Sequence, residues 1–266
     1  MDFIVQTIQL TKRFGKFVAL DKLNISLEKG EIFSLLGPNG AGKTTTIKLL
    51  TTLLKPSSGD AIIDGVSIKK NPYKVRNLIG YVPQMLSADG TLTGYENLLL
   101  FGKLYDIPAK EAKKRVNESL EFMNLEEFAH KPVKTYSGGM IRRLEIAQSM
   151  LHHPKVLFLD EPTTGLDPIG VKAVWDHILK LKEQFNTTIL LTTHIMEEAD
   201  KLSNHVAFLS RGKLAAIGTP EGLKKSLNRE NVSMEDVFIY YTKESLEGEK
   251  DFRDVRISRK TTSRLR

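Results

Sequence analysis

The chain has 266 residues, 41% of them hydrophobic and 27% charged, and it contains no cysteine. That balance suits a soluble globular protein with room for one large α/β domain or two small ones. The cysteine count excludes disulfides and cysteine catalysis. The net charge of +7 is concentrated at the end, where Arg253, Arg256, Arg259, Lys260, Arg264 and Arg266 face a single acid, Asp254. The body is therefore nearly neutral, which argues against a nucleic-acid surface in the fold, and 244–266 reads as a basic, disordered tail.

In chain order, "FIVQTIQL" and "FVALDKLNISLEKG" alternate short apolar stretches with turns, as antiparallel strands do. "EIFSLLG" is a nearly continuous apolar run, expected of a strand buried on both faces. "KTTTIKLLTTLL" then predicts a helix closed before Pro56, and "DAIIDGVSI" a hairpin strand. From Thr91 to His153 the periodicity is helical: Thr93 and Glu96 in "TGYE" form a capping box, and Val116, Leu120 and Met123 share one face. "KVLFLDE", "TTILLTTH" and "HVAFLS" are buried-strand patterns alternating with helices, which implies a largely parallel sheet. Thr219 and Pro220 start a further helix, and "SMEDVFIYY" offers another capping box. No run reaches the roughly 18 apolar residues of a membrane span, and the start lacks the pattern of a secretory signal.

"GPNGAGKTT" (Gly37, Pro38, Asn39, Gly40, Ala41, Gly42, Lys43, Thr44, Thr45) lies between a strand and a helix and fits G-x-x-x-x-G-K-[ST]. The glycines let the backbone wrap phosphates with inward amides, Lys43 reaches the β- and γ-phosphates, and the Thr44 hydroxyl suits Mg²⁺. "VLFLDE" delivers Asp160 to the same sheet edge as a magnesium ligand, with Glu161 beside it as a general base for water. "YSGGM" raises a question. Ser137, Gly138 and Gly139 begin another helix and also offer a hydroxyl, amides and a helix dipole to an anion. One nucleotide needs only one such cradle, so the economical reading gives the second to another subunit, two chains meeting head to tail with ATP between them.

With a glutamine in "YVPQ", "LFLDEPTTGLDP" and "TTH", these ordered motifs resemble the nucleotide-binding subunits of ABC transporters from about residue 2 to 218. The resemblance implies a P-loop NTPase (RecA-like) core, an N-terminal antiparallel β part (about 2–30 and 58–70) and an inserted helical part (about 86–153), with 219–243 a small helical extension. It implies that Gln84 contacts Mg²⁺ or water and senses a membrane partner, that Asp167 crosses the dimer interface and that His194 contacts the γ-phosphate. It also implies that Phe14 stacks on adenine where tyrosine is usual. Ser137, Gly138 and Gly139 would close over the partner's ATP, although Tyr136 and Met140 depart from the commoner wording around them. His152, His153, Met140 and Trp175 read as structural.

The wording "YSGGMIRRLEIA" and the ending "GTPEGLKK" look most like ATPases of ABC-2 type exporters of the drug-resistance and sodium-efflux kinds. The expected protein is an ATPase that powers export through a separate transmembrane permease, at the cytoplasmic face of the membrane, paired with a second ATPase subunit. A soluble ABC ATPase working on ribosomes or nucleic acid is the alternative. It fits less well, because the chain holds one such domain and no long coiled coil between Lys43 and Ser137. A P-loop kinase would leave the second cradle and the Asp160–Glu161 pair unexplained.

Overall fold

The computed structural model describes residues 3–242, so the expected basic tail lies outside the described residues. Elements are numbered in chain order. β1 (Phe3–Phe14), β2 (Phe17–Leu23), β3 (Ser26–Glu28), β5 (Ser58–Ile63) and β6 (Val66–Ser67) make an antiparallel sheet. The β5–β6 hairpin turns on Asp64 and Gly65, both at positive φ (46° and 75°), as a tight two-residue hairpin requires.

The second sheet runs β11-β10-β4-β9-β8-β7, from β4 (Ile32–Leu36), β7 (Ile79–Val82), β8 (Val156–Asp160), β9 (Thr188–Thr193), β10 (His205–Ser210) and β11 (Lys213–Gly218). All pairings are parallel except β10 with β11. Every residue of β4, β8 and β9 is buried, which is why these strands read as unbroken apolar runs. Neither β11 nor the pair α2 (Pro72–Leu78) and β7 is evident from periodicity. β7 is only four residues long, and α2 and β11 are short and carry mixed polarity.

α1 (Lys43–Leu50) is shorter than its sequence pattern predicts. The Thr51 hydroxyl donates back to the Ile47 carbonyl, Thr52 sits at φ 62°, and the Leu54 amide folds onto the Lys48 carbonyl, so the helix closes well before Pro56. α3 (Gly94–Leu104) begins with the expected Thr93–Glu96 capping box. With α4 (Ala109–Phe122) and α5 (Gly138–Met150) it packs Leu98, Val116, Leu120, Met123 and Leu144 into a core shared with Leu157, Leu159 and Leu191 of the sheet. α6 (Pro168–Phe185) and α7 (Met196–Leu202) complete the layers. α8 (Pro220–Lys225) is capped by Thr219, and a last helix at 234–242 by Ser233, whose backbone and side chain both bond Asp236. The carboxyl ends of β4, β7, β8 and β9 thus point loops of distant sequence at one edge, where open parallel sheets collect ligands.

Candidate functional site

The loop after β4 owes its shape to its glycines. Gly40 and Gly42 have φ of 79° and 108°, and a Cβ on Gly37 would lie 2.4 Å from the Leu209 carbonyl oxygen. Gly42 caps α1, so the helix dipole faces the loop's interior. Buried Lys43 donates to the carbonyls of Gly37 (2.8 Å) and Pro38 (3.3 Å), and pairs with a Glu161 oxygen at 3.1 Å.

Glu161 is the meeting point. It follows β8 at φ 50°, unusual for a residue with a side chain and held there by two bonds from its amide, to the Thr192 carbonyl and hydroxyl. Its second carboxylate oxygen accepts from Gln84 (3.1 Å) and Thr164 (3.1 Å), with His194 Nδ1 at 3.2 Å. Four elements separated by up to 151 residues therefore converge on one carboxylate. Next to it, Asp160 Oδ1 accepts from the hydroxyls of Thr44 (3.1 Å) and Thr192 (2.6 Å). Burial, aided by Asp160, pushes the Tyr81 phenol up to about 12, so the neighbour of this acid is uncharged.

Phe14, Asn39, Gly40, Gly42, Lys43, Thr44, Thr45, Gln84 and Glu161 line one cleft of about 410 Å³. Its volume is that of a nucleotide-sized site, and its polar groups are those that phosphates and a hard cation need: amides, one lysine, a threonine hydroxyl and a carboxylate. Phe17, the cross-strand partner of Phe14, lines the cleft too and is 65% exposed. Sequence reading passes it over, although its place one tight turn after Phe14 puts two rings on one rim. Thr164 and Thr192 are likewise missed, because only the topology brings them to Glu161 and Asp160. Pro38 and Ala41 hold the loop: the Ala41 amide bonds the Pro38 carbonyl at 3.1 Å.

Ser137, Gly138, Gly139 and Asp167 do not line that cleft. Ser137 caps α5, accepting from the Met140 amide at 3.2 Å, which leaves its own proton free to donate. Asp167 caps α6 through the Gly170 amide at 2.7 Å. A Cβ on Gly139 would lie 2.9 Å from Gly170 Cα, and one on Gly138 3.0 Å from the Leu166 side chain. The starts of α5 and α6 are therefore in contact, and exposed Ser137 and Asp167 belong to one surface.

Two buried devices brace these parts. Arg142 of α5 donates to the carbonyls of Pro83 (2.6 Å) and Gln84 (2.7 Å), while its ion-pair partner Glu145 accepts from Ser87 and the Ala88 amide. The Gln84 loop is thereby fastened to the helix that Ser137 caps. His152, which reads as structural, donates from Nε2 to the Ile79 carbonyl and stacks on Tyr105 at 3.8 Å.

The sequence profile of the ABC transporter family matches residues 20–164. A daunorubicin resistance ATP-binding protein of Streptomyces coeruleorubidus is 43% identical over 84% of this chain and 70% of its own length. A Nod factor export ATP-binding protein of Ralstonia nicotianae is 42% identical over 80% and 66%. Among solved structures, an ATP-binding subunit of an ABC transporter superposes with a TM-score of 0.79 at 27% identity, over 90% of this chain and 99% of that one. A dimeric ATP-binding cassette in a post-hydrolysis state with ADP and Pi gives 0.73 at 28%, over 81% and 98%.

Proposed function

The chain belongs to the ABC transporter family, and on that premise we propose which of its residues perform its chemistry and what it assembles with. It is the ATP-binding and ATP-hydrolysing subunit of an exporter, and such subunits dimerise and work with transmembrane permease components. The observation that carries the residue assignment is the convergence of Lys43, Gln84, Thr164 and His194 on Glu161, beside a phosphate loop.

In this reading the phosphates of ATP lie against the amides of Gly40–Thr45, and Lys43 exchanges Glu161 for phosphate oxygens, which frees the carboxylate. Phe14 carries the adenine, with Phe17 flanking it. Thr44 and Asp160, with Gln84, would hold Mg²⁺, which would supply positive charge to offset that of the phosphates. Glu161 takes the proton of a water as that water's oxygen bonds to the γ-phosphorus and the bond to the ADP oxygen breaks. His194 stays beside the γ-phosphate to orient the reacting groups. Ser137, Gly138, Gly139 and Asp167 face the ATP held by the other subunit, so closure needs two chains. The fastened Gln84 loop passes that closure to a permease at the cytoplasmic face of the membrane, where cargo is recognised.

Glu161→Gln tests the chemistry. The variant should bind ATP as the parent does, lose turnover by roughly 100-fold or more, and accumulate an ATP-bound dimer in gel filtration. A parental rate would remove Glu161 from the role of base. Co-purification of the chain with a polytopic protein from native membranes tests the partner, and recovery with ribosomes or nucleic acid alone would favour the alternative.

A further inference from the structure

Glu198 of α7 has no exposed surface, yet it is a carboxylic acid. Its Oε1 accepts from the Thr163 hydroxyl at 2.8 Å and the Trp175 indole at 2.9 Å, and its Oε2 has no partner among the described residues. Burial pushes its pKa up. Placing an acid so deep is costly unless its position matters, because leucine or methionine fills similar space without polar atoms to satisfy.

Its partners say where that position matters. Thr163 stands between Glu161 and Asp167, on the stretch that leads from the carboxylate to the exposed cap of α6. Trp175 is on α6 itself, and Lys201 of α7 lies 5.3 Å from its ring. Glu198 lies four residues after His194, in the first turn of the helix that begins at Met196 once the chain has left β9. One buried carboxyl thus joins three pieces of chain: the Glu161 strand end, the helix behind Asp167 and the turn that holds His194.

We propose that Glu198 is a positioning residue of the ATPase site, acting through the Thr163 and Trp175 bonds to hold His194 in register with Glu161 and Asp167. This rests on the roles proposed above for His194 and Glu161. Through it, a displacement of Asp167 at the surface shared with Ser137 reaches the His194 turn without crossing the phosphate loop. Glu198 itself is fully buried and does not line the cleft.

The test uses the full chain with Mg-ATP and measures kcat, KM and melting temperature together. Glu198→Ala removes the acceptor and should lower kcat roughly tenfold while changing KM less than about threefold, since misplacement costs rate more than binding. Glu198→Gln keeps an oxygen for Thr163 and Trp175 and should stay within about twofold of the parent. In a His194→Ala background, Glu198→Ala should add little further loss, because the residue it positions is gone. Should Glu198→Ala fail to fold, Thr163→Val removes one hydroxyl at constant volume and should show the same kcat-selective loss and the same dependence on His194. Parental kcat in Glu198→Ala or Thr163→Val, or equal losses with and without His194, overturns the proposal. A parental rate in His194→Ala would instead remove the site reading beneath it, and the proposal with it.

Discussion

Two helix starts in this molecule carry glycines and an anion-binding dipole, and their glycines do different work. At Gly37–Thr45 they bend the backbone: Gly40 and Gly42 adopt φ values that side chains avoid, and the cleft is completed by Glu161 and Gln84 of the same chain. At Ser137–Gly139 the glycines have ordinary φ, and Gly139 is there because α6 comes within a Cβ's reach. There Ser137 caps its own helix and lies exposed at the surface. In the proposed reading the first cradle serves its own chain, and the second serves the ATP of another.

The largest effect that sharpens this contrast is loss of Lys43. Lys43→Ala should weaken ATP binding by roughly 100-fold or more, read in a nucleotide titration, because a buried cation leaves the phosphates and Glu161 at once. Ser137→Ala should leave binding to the isolated chain unchanged and lower turnover about tenfold or more, with the ATP-dependent dimer lost. Mixing the two impaired variants then shows which chain Ser137 serves. Head-to-tail pairing gives each mixed dimer one site with both Lys43 and Ser137, so about a quarter of the parental rate should return. No recovery would mean that Ser137 serves its own chain.

Intermediate in size is the bracing of the Gln84 loop. Arg142 and Glu145 are a buried pair, and removing one partner strands the other charge at a cost of about 3–5 kcal/mol. Glu145→Gln is gentler. It keeps an acceptor for the Ser87 and Ala88 amides but weakens the pair, and should speed hydrogen exchange of those two amides without altering exchange in β4. Unchanged exchange at Ser87 and Ala88 would show that the loop is held by other means.

Legibility in the sequence follows the same division. The phosphate loop was readable because its chemistry is local, nine consecutive residues with a strand before and a helix after. Asp160 and Glu161 were readable as a strand end. Of what surrounds Glu161, Gln84 and His194 enter only through the family resemblance and Thr164 not at all, since these are single polar residues in turns whose convergence depends on the β7-β8-β9 order. The reason for Gly139 was hidden for a related cause: the close approach of Gly170 belongs to the packing of two helices, and no spacing records it. Glu198 gives no local signal either, being one of two adjacent acids on a short helix whose other member, Glu197, pairs with Lys201 at the surface.

The smallest effect concerns acid stability at the foot of the second cradle's helix. Half-buried His152 is held down to about 4 from an ordinary 6.5, chiefly by desolvation. Its Nε2 proton goes to Ile79, and its buried Nδ1 has no partner among the described residues, so protonation would add a donor with nowhere to donate. A folded-state value below the unfolded one means that the unfolded chain binds the extra proton first. Stability from this group is therefore full above about 6.5 and is lost as the pH falls toward 4. The ring is only partly enclosed, so the loss is about 1 kcal/mol after allowance for solvent screening. His152→Gln keeps a donor for the Ile79 carbonyl and has no titration, so its melting temperature should fall less steeply than the parent's between pH 6.5 and 4. His177, shifted in the same direction, preserves part of the slope in both proteins. Because His152 sits two residues past α5 while Ser137 caps its start, the ATP-dependent dimer should keep the same nucleotide dependence in the variant. A changed dependence would mean that the far end of this helix is not the inert anchor that its buried contacts describe.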